Sequence, residues 1–300
     1  MKKILLVFFA MAFTSAAWAQ TFTETIKKEL AFEKKADGNV LMVFNLNGDV
    51  TIEGYDGDKI IVEVEKRIKG KTEARLEKGK SQVQLGVIDR ADTLILYVQG
   101  ICHDFGKNVN DRRNGDRKRS GGWNYNWNNC NGRNCDPEFD YTMDFKIKVP
   151  SSINAYASAV NDGEVVVTNV KGRVSATNIN GGIKLMEIAG ATYASSINGD
   201  VDLEYSGNPP SDSKYYALNG DINATFRKGL AAQLTFKSFN GEFYSTLNDI
   251  TPMAVSVEKY EKGEGIHYKV NGNRYKVRQG GPLLDFETFN GDVILKEKTN

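Results

Sequence analysis

Histidine is nearly missing from this 300-residue chain, with only His103 and His267, and cysteine is confined to three residues. That scarcity removes most metal-ligand sets and nucleophile–base pairs, and no G-x-S-x-G or H-E-x-x-H motif supplies one. Neither charge sign dominates, since 39 Lys and Arg face 38 Asp and Glu, so no global field attracts nucleic acid. No stretch beyond the first twenty residues approaches the ~20 apolar residues of a spanning helix. With six prolines against 29 glycines, glycine is the main punctuation of the chain.

The first twenty residues, "MKKILLVFFAMAFTSAAWAQ", carry two lysines, an apolar run from Ile4 to Phe13 and an Ala17-Trp18-Ala19 site. This is the pattern of a cleaved secretory signal peptide over residues 1–19. No cysteine at the cleavage point indicates a lipid anchor. The expected mature chain begins at Gln20, is soluble in the periplasm, at the cell surface or beyond, and has a formal charge of about −1 once Lys2 and Lys3 are gone.

What is present in abundance is a repeat. From Val165 the apolar or small positions are Val165, Val167, Val170, Val174, Ala176, Ile179, Ile183, Leu185, Ile188, Thr192, Ala194, Ile197, Val201 and Leu203, in steps of 2, 3 and 4. A helix gives steps of 3 and 4 and a simple strand steps of 2, so a period of nine means short strands joined by regular corners. Gly163, Gly172, Gly181, Gly190 and Gly199 keep the same count, where a positive φ at each corner is expected. Asn precedes Gly only at alternate corners, as in Asn180-Gly181 and Asn198-Gly199, and at Asn161 with one extra residue. The true repeat is therefore about 18 residues, two strands and two corners, a unit that buries its apolar edge only by stacking on copies of itself.

The frame returns after breaks at Leu41–Tyr55, at Tyr215–Ala224 with Asn219-Gly220, at Leu234–Phe243 with Asn240-Gly241, and at Leu284–Leu295 with Asn290-Gly291. Stacked Asn side chains, with Asn47 and Asn161 upstream, are read as a structural amide ladder. Between the first coil and Val149, "GKTEARLEKGK" reads as one short helix, and "QVQLGVI", "DTLILYVQ" and "YTMDFKIKV" as strands. "IHYKVNGNRYKVR" reads as a hairpin. The expectation is an all-β chain: a single β-solenoid domain over residues 20–300, with a loop insertion at 102–138.

The segment "FKIKVPSSINAYASAVNDGEVVVTNVKGRVSATNINGGIKL", with "NGDVTIEGYDGDKIIVEVEK" before it and "GGPLLDFETFNGDVILKE" after it, resembles the bacterial adhesin-like family of unknown function called toastrack. The likeness covers most of residues 35–300 apart from the 102–138 segment. It implies an exported β-solenoid, an adhesin label that is itself inferred, and neighbourhood with membrane regulators of envelope stress. It offers no catalytic residues.

Three further groups carry candidate chemistry. Asp200, Asp221 and Asp292 follow the corner glycines, but one glycine per nine residues differs from the G-G-x-G-x-D calcium repeat, and neither metal nor cofactor is expected. The insertion has no periodicity and holds Cys102, Cys130 and Cys135. It also carries Trp123, Tyr125 and Trp127 after a basic run that includes Arg112 and Arg113. An exported chain predicts a disulfide from two of the three cysteines, Cys102–Cys135 if the flanking strands pair or Cys130–Cys135. Its aromatics and arginines form a candidate binding tip for sugar rings or acidic polymers. Both histidines are read as surface residues. Neighbours of the inward positions place Arg173, Tyr193, Lys214, Tyr216 and Lys237 on one outward face suited to an extended polymer.

Together these observations point to a non-enzymatic, adhesin-like binding protein of the envelope or surface, whose partner is a polysaccharide or a protein. A periplasmic accessory of envelope-stress signalling, bound to a membrane regulator, is the alternative reading. A polysaccharide lyase or hydrolase is the third.

Overall fold

The computed structural model describes residues 20–34, 38–100, 103–107, 122–126, 137–262, 265–271 and 273–298; the side chains of 256, 258, 260–262 and 265–271 are not described. The signal peptide, all three cysteines, Arg112, Arg113 and Trp127 lie outside the described residues.

The chain opens with β1 (Gln20–Leu30), β2 (Val40–Phe44), β3 (Val50–Tyr55), β4 (Ile60–Gly70), helix α1 (Glu73–Gln82), β5 (Gln84–Asp89) and β6 (Thr93–Gln99). Within the insertion stand β7 (Asp104–Lys107) and β8 (Trp123–Asn126), followed by β9 (Phe139–Pro150). The periodic region supplies β10 (Asn154–Ala159), β11 (Val165–Thr168), β12 (Val174–Asn180), β13 (Ile183–Ile188), β14 (Thr192–Asn198), β15 (Val201–Tyr205), β16 (Ser213–Asn219) and β17 (Ile222–Phe226). The last part contains β18 (Ala232–Lys237), β19 (Phe243–Ser245), β20 (Ile250–Pro252), β21 (Ser256–Lys262), β22 (Gly265–Asn271), β23 (Arg274–Val277), β24 (Leu283–Asn290) and β25 (Val293–Glu297).

Successive coil strands alternate between two long sheets, ordered β1-β4-β9-β3-β11-β13-β15-β17-β25-β19 and β20-β23-β18-β24-β16-β14-β12-β10-β2-β6-β5. Pairing is parallel from β9 to β19 in the first sheet and from β6 to β18 in the second, consistent with a β-solenoid. Antiparallel strands extend both ends: β1-β4-β9 and β5-β6 at one, β20-β23-β18 at the other. The inward rows of both sheets form one continuous buried cluster that includes Val174, Ala176, Ile183, Leu185, Val201 and Leu203.

Stack order departs from chain order. The C-terminal pair β24–β25 lies between the β16–β17 coil and the β18–β19 coil. Each coil offers the same inward rows and the same corner, so the last pair fits there as well as the next coil in sequence would.

Helix α1 begins where Thr72 caps it, its hydroxyl accepting from Arg75 N, and its buried Leu76 turns toward the core. "IHYKVNGNRYKVR" is not a hairpin of its own: β22 pairs with β21 before it, while β23 pairs with β18 and β20. Strands β6 and β9, whose pairing would have closed the insertion at its base, lie in different sheets.

The inward frame differs from expectation at one position per coil. Ile179 and Ile197 point outward, 41% and 37% exposed, while Asn178 and Ser196 are buried. Strands β12 and β14 run seven residues, so strict alternation carries residues 174, 176 and 178 inward. The reason for polar residues there is the corner: Asn178 Nδ2 donates to the carbonyls of Gly163 (2.9 Å) and Gly182 (3.1 Å), and Ser196 Oγ to Gly181 O (3.0 Å). Thr288 and Asn45 serve Gly291 O and Gly48 O in the same way. An apolar side chain would remove these bonds; Gly182 O would keep its bond from Val165 N, whereas the part-buried carbonyls of Gly163 and Gly181 would lose the side-chain donor.

Glycine also has a different main role from the one expected. Of the five corner glycines Gly199 has the expected positive φ, 154°, whereas at Gly181 and Gly190 φ is not positive; a Cβ at those two would lie 2.1 Å from Gly163 O and 2.0 Å from Gly172 O. Close stacking of backbones requires the glycine at Gly181 and Gly190, and Asn169 and Glu187 also take left-handed corner conformations.

Candidate functional site

Seven asparagines join the coils along one edge. Asn161 Nδ2 donates to Asn47 Oδ1 (3.2 Å), Asn180 to Asn161 (2.9 Å), Asn198 to Asn180 (2.8 Å), Asn219 to Asn198 (2.9 Å), Asn290 to Asn219 (2.8 Å) and Asn240 to Asn290 (2.8 Å). Asn180 lies 18 positions before Asn198, Asn198 21 before Asn219 and Asn219 71 before Asn290, the last step being the out-of-order coil. The acids after the glycines hold the same edge. Asp200 Oδ1 accepts from Asp221 N (2.9 Å), Asp221 from Asp292 N (2.8 Å) and Asp292 from Glu242 N (2.8 Å). Among the described residues no cluster of His, Cys, Asp and Glu could hold a metal ion.

One ladder bond is worth about 1 kcal/mol, and an interior Asn makes two. Asn198→Ala should therefore lower unfolding free energy by about 1–2 kcal/mol in urea titrations, and Asn240→Ala, at the end with one ladder bond, by about half as much.

Beside the ladder runs a row of outward apolar side chains, one residue earlier in each coil. Ile179, Ile197, half-buried Leu218, Phe289 and Phe239 follow one another across β12, β14, β16, β24 and the residues after β18. Phe289 and Phe239 are 44% and 74% exposed, with parallel rings 4.9 Å apart at 5°. The 2, 3, 4 frame of the sequence assigns all five, Ile179, Ile197, Leu218, Phe289 and Phe239, to the core, whereas they lie on the outer side of the coils.

At the row's start the insertion covers it. Strands β7 and β8 pair with each other, and Phe105, Trp123 and Tyr125 pack over Phe44, Leu46, Ile95 and Tyr156. Tyr125 is buried at 7% exposure; its hydroxyl donates to Phe44 O (2.8 Å) and accepts from Val98 N (3.0 Å). Burial raises its pKa far above the ordinary phenol range. Trp123 is half-buried, stacked on Phe105 at 5.9 Å with the Arg90 guanidinium 5.1 Å from its ring. These two aromatics thus anchor the insertion to the sheet rather than project from it. His103 is buried too, edge-on to Tyr125 at 4.8 Å with Nε2 3.3 Å from Val98 O, and burial lowers its pKa.

The predicted outward face is assembled as a face. Tyr193 lies beside Lys214 and Ser195 beside Tyr216, while Lys237 lies beside Glu287. Arg173, Tyr193 and Lys214 line one shallow groove of about 280 Å³, with Asp212 and Asp285. Its charge is not the basic row that the sequence implied. Strand β24 brings Glu287 and Asp285 to 3.3 Å and 3.7 Å from Lys214 Nζ. Partial burial works against the Lys214 charge, but those carboxylates outweigh it and raise its pKa. The intercalated strand thereby neutralises the centre of the face.

No protein-family model matches the chain, and no curated protein matches it. Its structure is similar to that of a "putative cell adhesion protein" from Clostridium sporogenes, at 11% identity and a TM-score of 0.42, covering 92% of this chain and 100% of that one. It is also similar to a "putative adhesin" from Bacteroides fragilis, at 11% identity and a TM-score of 0.33, over 92% and 97% of the two chains, and to a "putative lipid binding protein" from Parabacteroides distasonis, at 11% identity and a TM-score of 0.27, over 92% and 97%.

Proposed function

We propose that this chain is an exported, non-enzymatic, adhesin-like β-solenoid with coils of about 18 residues, and that its ribbed outer face binds a neutral polysaccharide. The observation that carries the reading is the exposed row Ile179, Ile197, Leu218, Phe289 and Phe239 beside the amide ladder. Strand spacing of about 4.8 Å repeats both rows at a fixed interval, which suits a ligand that is itself linear and repetitive. Each amide has two N–H groups and two acceptor sites, and the ladder uses one of each. The remainder face solvent for hydroxyl groups, while the apolar row receives the C–H faces of sugar rings. The Asp285 and Glu287 carboxylates beside Lys214 argue against an acidic polymer.

Affinity electrophoresis tests this with hydroxyethyl cellulose, dextran and laminarin as neutral polymers and alginate as the acidic one. At least one neutral polymer should retard the wild-type protein and alginate should not. Ile197→Ser combined with Phe289→Ser should weaken that retardation at least tenfold without moving the melting temperature by more than a few degrees. No retardation by any neutral polymer, or retardation unchanged in the double variant, would exclude the reading.

A further inference from the structure

The amide ladder has a direction, and its donor end opens into a pocket. Every Asn donates toward Asn47, so Asn47 accepts through Oδ1 at 3.2 Å from Asn161. Its own Nδ2 meets no acceptor among the described residues. Asn47 lines a cavity of about 420 Å³ formed where β4 and β9 run past the corner, together with Arg67, Lys69, Phe139, Asp140, Tyr141 and Asp162. The volume is at the small end of the roughly 300–1,000 Å³ span of ligand pockets.

The donor set narrows the ligand class. Arg67 is committed to Asp144 and, at 3.2 Å, to Glu65. Lys69 and Asp140 face each other in register across β4 and β9, and neither has an ion-pair partner among the described residues. Asp162 is the extra residue of its corner, held at φ 54°, and its carboxylate likewise has none. One ammonium and one amide N–H₂ offer donors and two carboxylates offer acceptors; Phe139 and Tyr141 lie on the opposite face of β9 from Asp140 and pack toward the core. Two free carboxylates disfavour an anion, and the polar groups disfavour a hydrocarbon. A polyhydroxylated ring, which both donates and accepts, satisfies all of them.

We infer that this pocket holds a terminal neutral saccharide unit, hydroxyl groups donating to Asp140 and Asp162 and accepting from Asn47 Nδ2 and Lys69 Nζ. The inference rests on the saccharide reading of the ribbed face and extends it to a chain end.

Saturation-transfer NMR on the purified full mature chain, with cellobiose, maltose, lactose and N,N′-diacetylchitobiose, is the test. At least one disaccharide should show transfer in the wild-type protein. Lys69→Ala and Asp140→Ala, both at exposed positions, and Asp162→Gly, which keeps the left-handed corner, should each weaken it about tenfold. Thermal melts of the three variants should match wild type. Absence of transfer from all four sugars, or transfer unaffected by the three pocket substitutions, overturns the inference. If the disaccharides fail while neutral polymers are still retarded through Ile197 and Phe289, the pocket falls and the face stands. The opposite pattern removes the face and leaves the pocket.

Discussion

Ile183→Asp or Leu185→Asp should unfold the protein, whereas Lys184→Asp between them should not. Ile183 and Leu185 are fully buried, and their parallel neighbours Val165, Val201, Val167 and Leu203 are no more than 3% exposed. A carboxylate there has no partner within the row, and burying it unpaired costs several kcal/mol. Total stability is about 5–15 kcal/mol for a typical domain, and a stacked coil that opens removes the support of both neighbours. Lys184 points outward to Glu164 at 2.9 Å; an exposed pair of this kind is worth at most about 1 kcal/mol. Urea titration followed by circular dichroism separates the two classes. Equal loss of stability in all three variants would contradict the inward frame.

Truncation before Gly281 should be more severe than removal of a terminal strand pair usually is. Loss of β24 and β25 removes a tail in sequence but a middle coil in space. Leu284, Phe286, Val293 and Leu295 are all fully buried, and Phe286 stacks on Tyr215 at 4.6 Å. Large-to-small changes at such positions cost about 2–5 kcal/mol each, so losing four exceeds the margin of a typical domain. Strands β18 and β19 would also lose their parallel partners. The truncated chain should lack a cooperative thermal transition and be cleaved by protease throughout residues 213–277. A sharp transition close to the wild-type temperature would show that the C-terminal pair is peripheral.

The parts of the fold that local chemistry dictates were legible in the sequence. The nine-residue count anticipated the strands from Val165 to Tyr205, "GKTEARLEKGK" anticipated α1, and the strands "QVQLGVI" and "DTLILYVQ" were recognisable from their apolar and β-branched content. What was not legible depends on choices between equivalent neighbours. Asn219-Gly220, Asn240-Gly241 and Asn290-Gly291 present the same corner, so periodicity could not say which coil lies on which. That ambiguity hid Asp285 and Glu287 from the predicted basic face, and made Arg173, Tyr193, Lys214, Tyr216 and Lys237 look more cationic as a surface than they are. The third inward position was misassigned for another reason: Ile179 and Ile197 are the most apolar residues near the corner, whereas the corner needs a small polar side chain inside. In the insertion, composition pointed to an exposed tip, but Tyr125 and Trp123 have an apolar sheet surface beneath them that no local pattern announces.

Both the uninterrupted apolar row and the neutralised face depend on β24 lying between β16 and β18. In a background with Cys102, Cys130 and Cys135 replaced by Ser, two cysteine pairs decide this under mild oxidation. Neighbouring parallel strands are about 4.8 Å apart, within the roughly 4.4–6.8 Å Cα separation a disulfide accepts; strands two places apart are at about twice that distance. Asn219→Cys with Asn290→Cys should therefore cross-link rapidly in the folded protein, and Asn219→Cys with Asn240→Cys should remain reduced. Cross-linking of 219 to 240 without cross-linking of 219 to 290 would place the coils in chain order and contradict the account.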